Sequence, residues 1–341
     1  MSKDDFISCI RRQEHSGIPT FLLDSSLGTV YAGIDVSEMY QYGFDAELSA
    51  KSISASRRAL GHDAVVGSMM FADYGALGEE CEYCPDKVPV IIKPAFEDPL
   101  DMEYCSPYDL IDTDTMNECI RSYGLVREYE PDAAIAAMVP SVFDVSARIR
   151  GKEAFLMDMN CDRYAFDEIV GFAKGIVNLV SDRIIDESGP DFVVVTSTFD
   201  DINLIGEDMF RDRSILDLTN IYYKCRGSNI PTIIHPRGVL TDGGGKKALK
   251  PLQYVGFEGL YYGGGNDHRT MAEMCQNQIL LMGGLDIESI RDGTDDSIVK
   301  EPNDVLDIMT GKDFIYSCSD SVDRDLDTHR MELMMSIVKG R

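Results

Sequence analysis

The chain has 341 residues, enough to bury a large core, and its 44% hydrophobic and 27% charged content is that of a globular protein. A formal net charge of −27 argues against nucleic acid and anionic membrane surfaces as partners, because both would be repelled. No apolar run is long enough to span a bilayer, and residues 1–20 are too polar for a signal peptide, so the expected location is cytoplasmic.

Short apolar runs rich in β-branched residues recur along the chain. In order they are "IPTFLL" (18–23), "DAVVGSM" (63–69), "AAIAAMV" (133–139), "DFVVVTS" (191–197), "IPTIIHP" (230–236), "GLYYGG" (259–264), "ILLMGGL" (279–285) and "DFIYSCS" (313–319). Amphipathic stretches separate them. "DAELSAKSISASRRALG" (45–61) opens on an acid and closes on Gly, the order helix caps prefer. "RYAFDEIVGFAKGIVNLVSDRIIDESG" (163–189) also ends at Gly, and "EDMFRDRSILDLTNIYYKCRG" (207–227) repeats the pattern.

Eight strand–helix units predict an α/β fold, a closed (β/α)8 barrel in one domain over residues 1–341. An open doubly wound sheet is the runner-up, but "LLDSSLG" after the first strand is not a G-x-G-x-x-G turn. A further run, "VPVIIKP" (88–94), does not fit the count and reads as part of an excursion over about 80–110.

In a parallel barrel the chemistry lies at the carboxyl ends of the strands. Those ends carry Asp24, Met70 to Asp73, Pro140, Thr196 to Thr198, His235 to Arg237, Gly263 to Asp267, Gly284 to Asp286 and Cys318. His235 and Cys318 end different strands, and an imidazole with a thiolate is a zinc preference. A single His after an apolar strand is also commonly a packed core residue. Arg237, two residues beyond His235, cannot ligate a metal and would repel one. It is suited to gripping an anion such as a carboxylate, sulfonate or phosphate.

The other motifs are weaker. "CEYC" (81–84) lacks a second pair, so a structural zinc is not favoured. The nine cysteines show no disulfide framework and read mostly as free thiols. "TDGGGKKALK" (241–250) lacks the phosphate-loop spacing and reads as a flexible loop. "NDHRT" (266–270) reads as a helix start capped by Asn266 or Asp267. His15, His62 and His329 read as surface positions. No G-x-S-x-G elbow is present.

Five segments, in order, resemble the uroporphyrinogen decarboxylase superfamily: "LGHDAVVGSMMFADYGALGEECEY", "VPSVFDVSARIRGKEAFLMDM", "DFVVVTSTFDDINLIGEDMF", "PTIIHPRG" and "DFIYSCSDSVDRDLDTHRMELMMSIV". Within it the chain looks most similar to corrinoid-dependent methyltransferases of the methylcobamide:coenzyme M type. The decarboxylase fits less well, because its arginine-rich amino-terminal segment has no counterpart near "IPTFLLDSSLGTV".

The resemblance implies a (β/α)8 barrel and methyl transfer between a partner corrinoid protein and a small methyl donor or acceptor. It implies zinc held by His235 and Cys318, with Arg237 standing where the family's "H-x-C" motif has its cysteine. Asp73 is then the residue expected to complete the site. Arg237, Asp24 and Thr198 are the expected substrate contacts. Two variants of the reading remain: a demethylating enzyme acting on a methylated or methoxylated molecule, and a non-catalytic corrinoid- or tetrapyrrole-binding relative. There is no D-x-H-x-x-G corrinoid signature, so the corrinoid would arrive on its partner. Whether the chain forms a homodimer is left open.

Overall fold

The structure is a computed structural model that describes residues 1–69, 78–276 and 278–340. The described residues form nine strands: β1 (Ala64–Val66), β2 (Glu80–Cys84), β3 (Lys87–Lys93), β4 (Ala134–Pro140), β5 (Phe192–Ser197), β6 (Thr232–Pro236), β7 (Gly259–Tyr261), β8 (Leu280–Leu285) and β9 (Phe314–Cys318). Seven of them form one parallel sheet in the order β1-β4-β5-β6-β7-β8-β9.

Residues 20–24 close that sheet into a ring. Thr20 bridges Tyr316 of β9 and Phe21 bridges Ala64 of β1, both in parallel sense. The Phe21 N–H donates to the Tyr316 carbonyl at 3.0 Å, and the Ala64 N–H donates to the Thr20 carbonyl at 3.1 Å. Below this closure the Asp63 carboxylate accepts from the Thr20 N–H at 2.9 Å, from its hydroxyl at 2.7 Å, and from Lys339 at 2.7 Å. The eight runs expected from sequence are the seven sheet strands and this segment, so the architecture is a (β/α)8 barrel.

The helices follow from their caps. Asp45 accepts the Leu48 N–H at the start of helix Ala46–Leu60, and Gly61, at φ 70°, ends it in the left-handed conformation that a side chain would resist. Helix Arg163–Arg183 runs on through a wider turn, Ile184–Ser188, to Gly189 at φ 55°. The strands of the ring are buried almost throughout, as continuous apolar runs in a parallel sheet should be.

The run at 88–94 lies outside the ring: β3 pairs antiparallel with β2 in a separate hairpin. Two expectations are corrected. His62 is not a surface residue; it is 2% exposed, and burial drives its imidazole down to about 3. The stretch at 241–250 is not all loop, because a helix, Gly245–Val255, begins within it. A Cβ at Gly245 would stand 1.8 Å from the Val239 carbonyl oxygen, so glycine there permits a tight turn. Among the described residues no helix is long and apolar enough to cross a membrane.

Candidate active site at the barrel mouth

Strand alternation decides which side chains enter the ring. On β6 the Thr232 hydroxyl lies against Cys225 of helix Ile215–Gly227, so Thr232 and Ile234 face the helices. Ile233 and His235 therefore face inward. His235 is fully buried, and its ring stacks on Tyr261 with centroids 3.9 Å apart and planes 15° apart.

His235 Nδ1 lies 2.9 Å from the Tyr261 carbonyl oxygen. A carbonyl can only accept, so Nδ1 carries the proton, and in the neutral ring Nε2 is a bare lone pair. That atom is buried and, among the described residues, has no hydrogen-bond partner. It faces Asp320 Oδ1 at 3.8 Å, too long for a hydrogen bond.

Asp320 lies just past the end of β9. Its Oδ1 also takes the Arg237 guanidinium at 2.8 Å. Burial raises the Asp320 carboxyl, while the Arg237 guanidinium, and His235 when its ring is protonated, outweigh this and hold it below the ordinary aspartate range. Beneath, Tyr261 donates to the Asp320 carbonyl at 3.3 Å and accepts from the Ser317 hydroxyl at 3.0 Å. His235, Tyr261, Ser317, Asp320 and Arg237 thus form one connected group at the carboxyl ends of β6, β7 and β9.

A second group lies across the ends of β4 and β5. Asp144 Oδ1 accepts the N–H groups of Thr198 at 2.8 Å and Phe199 at 2.7 Å. Asp200 is bonded by the Ser141 hydroxyl, and by Ser214 at 2.5 Å. Burial raises both carboxyls, and repulsion from Asp144 helps push Asp200 to about 7. Burial and mutual repulsion thus favour the protonated form of this pair. The charge of Arg237 also reaches Asp144.

Asp24 is 2% exposed at the end of the closing segment. Its Oδ1 accepts the Gly28 N–H at 3.1 Å, and burial raises the carboxyl to about 7, with Gly28 and Ser56 opposing. Thr198 engages the site through its backbone. Asp73 lies outside the described residues.

Strand alternation sets Cys318 apart from the face that His235 and Ser317 share. Its neighbour Ser317 points inward to Tyr261, and two residues back Tyr316 feels Tyr262 and Glu301 on the helix side. By alternation Cys318 also faces the helices. It is wholly buried, and burial, followed by the charge of Asp286, pushes its thiol up to about 12.

The fit to zinc is therefore poor. One imidazole nitrogen is available among the described residues, the carboxylate facing it is already held by Arg237, and strand alternation turns Cys318 away from Ser317 and Tyr261. Among the described residues no three His, Cys, Asp or Glu side chains gather as a metal site. That includes Cys81 and Cys84, which lie on β2.

Asp320, Ser317, Asp144 and Asp200 escape the strand-end reading, which stops at Cys318 and at Thr198. The acid-rich "SDSVDRD" directly after β9 is the signal that points to Asp320.

Fold and site together define a parallel (β/α)8 barrel with a buried polar cluster at its carboxyl-end mouth. The uroporphyrinogen decarboxylase (URO-D) family model matches residues 1–341, and the chain belongs to that family. Its fold is similar to that of a methyltransferase from Methanosarcina mazei, at 16% identity and a TM-score of 0.83, covering 99% of this chain and 98% of that one. It is less similar to a B12-independent methionine synthase from Shewanella sp. W3-18-1 in complex with selenomethionine, at 11% identity and a TM-score of 0.57, covering 95% and 98%. A search of curated proteins gives no match.

Proposed function

We propose that this chain moves a methyl group between the cobalt of a partner corrinoid protein and a small molecule held at the barrel mouth. Family membership over the whole length and the fold shared with a methyltransferase support this reading. The observation that carries it is His235 Nε2: a buried ring nitrogen, oriented by the Tyr261 carbonyl and without a hydrogen-bond partner among the described residues, at the end of a barrel strand. Such an atom is held ready for a proton on a substrate.

The corrinoid, when its carrier docks over the mouth, supplies the cobalt that exchanges the methyl group. The protein's own residues do the rest. His235 meets the polar atom to which the methyl group is bound, and Asp320 and Arg237 fix the charge beside it. Asp144 and Asp200 hold a proton behind them. Zinc has no part in the proposal, because the described donors do not assemble a site for it. Of the two directions, the proposal takes removal of a methyl group from a methylated molecule.

The test is methyl exchange with cobalamin, followed by the visible spectrum, against a panel of thiols, methoxylated acids and methylated amines. Transfer that His235→Ala abolishes supports the proposal. No transfer with any member, while corrinoid still binds, would replace it with a corrinoid-binding role without chemistry.

A further inference from the structure

We infer that the small molecule this mouth selects is a protonated methylated amine, an alkylammonium with at least one N–H, rather than an anionic thiol or carboxylate. The inference rests on the methyl-transfer reading and names the substrate class of the same site.

Two independent features point to it. The first is charge. Arg237 is the cation shared by Asp144, Asp320 and Asp323, whose carboxyls all feel its field. Asp24 stands close enough to Asp323 to feel that charge as well. Three carboxyl groups thus share one guanidinium, with Asp24 beside them, and the guanidinium is already engaged at 2.8 Å by Asp320. An incoming sulfonate or carboxylate would find only the guanidinium donors that Asp320 leaves free, and would then sit among the acids. A cation enters a field already arranged for it.

The second feature is the His235 lone pair. Nε2 is buried, has no hydrogen-bond partner among the described residues, and stands 3.8 Å from Asp320. It requires a donor. An alkylammonium N–H donates to Nε2 while its charge is met by Asp320 and Asp323. A thiolate, sulfonate or carboxylate has no proton to offer. The Arg237 and Asp320 side chains are 35% and 34% exposed, so the group is reachable from solvent.

The test is calorimetric titration of the full chain at low ionic strength with dimethylammonium chloride, tetramethylammonium chloride and 2-mercaptoethanesulfonate. Dimethylammonium is expected to bind. Tetramethylammonium, lacking an N–H, is expected to bind roughly tenfold more weakly, and the sulfonate not measurably. Asp323→Asn, checked for native circular dichroism, should weaken dimethylammonium by about tenfold. Sulfonate binding as tight as that of dimethylammonium, or no effect of Asp323→Asn, overturns the inference.

Cobalamin methyl exchange run in parallel separates the two claims. Dimethylammonium binding without transfer upholds the ligand class and removes the transfer reading. Transfer to a sulfonated thiol without ammonium binding does the reverse.

Discussion

Arg237 and His235 meet the same oxygen: Asp320 Oδ1 lies 2.8 Å from the guanidinium and 3.8 Å from Nε2 of the imidazole. Where the resemblance places a second metal-binding cysteine, the chain has a fixed cation, and a carboxylate has moved in to neutralise it. Asp320→Asn keeps the shape and removes the charge. The pair is about one-third exposed, so its contribution to stability is small, about 0.5 kcal/mol. Methyl transfer should fall far more, on the order of 100-fold in kcat/KM, because the group beside His235 loses its orientation. Denaturant unfolding together with steady-state rates checks this. A large loss of stability with unchanged rates would show Asp320 to be structural.

The Tyr261 carbonyl should set the tautomer of His235. Nitrogen-15 NMR of the histidine side chains is expected to show that the neutral form of His235 carries its proton on Nδ1, with Nε2 bare. His235→Phe preserves the stacking on Tyr261 but leaves that buried carbonyl without its side-chain donor, at a cost of about 1–3 kcal/mol. Urea unfolding measures that cost. An Nε2-protonated ring would remove the acceptor on which the proposed chemistry depends.

Asp24 ties stability to pH in the less familiar direction. Burial raises its carboxyl from 3.8 to about 7, so the folded protein holds a proton that the unfolded chain releases. The stability is complete below about pH 4 and is lost as pH rises through about 7, at about 1.4 kcal/mol per unit. The Asp24→Asn variant cannot ionise at this position. The stability difference between that variant and the unaltered protein should therefore grow between pH 4 and 7 and then level off. Urea midpoints across this range test it, and parallel curves would show that Asp24 is ionised in both states.

The barrel was legible in the sequence because buried parallel strands read as short apolar runs, and all eight runs do. The hairpin at β2 and β3 was legible as a run that broke the count. The site was legible only in part. His235, Arg237 and Asp24 sit where the strand-end rule sends them. Cys318 satisfies the same rule but faces the helices, because the rule locates a residue along a strand and not around it. A shift of one position exchanges Ser317 for Cys318 at the mouth, and only the contact of Ser317 with Tyr261 settles which side chain enters. Asp144 and Asp200 were hidden for another reason: their importance comes from each other, across a gap of more than fifty residues that carries no periodic signal.

Gly284 on β8 links fold and site most directly. It pairs in register with Ser317 on β9. A Cβ on Gly284 would stand 2.0 Å from the Ser317 carbonyl oxygen and 3.0 Å from the Tyr316 ring. A backbone oxygen cannot swing aside as a flexible side chain can, so Gly284→Ala must push β9 away from β8. The expected cost is about 1–3 kcal/mol from overpacking. The displacement also moves Ser317 away from the Tyr261 hydroxyl and loosens the support beneath His235. Activity should fall further than it does in Ser317→Ala, which removes the hydroxyl without moving the strand. Comparing the two variants by urea unfolding and methyl transfer separates strand spacing from the hydrogen bond. Equal rates in both would mean that the spacing of β8 and β9 does not reach the site.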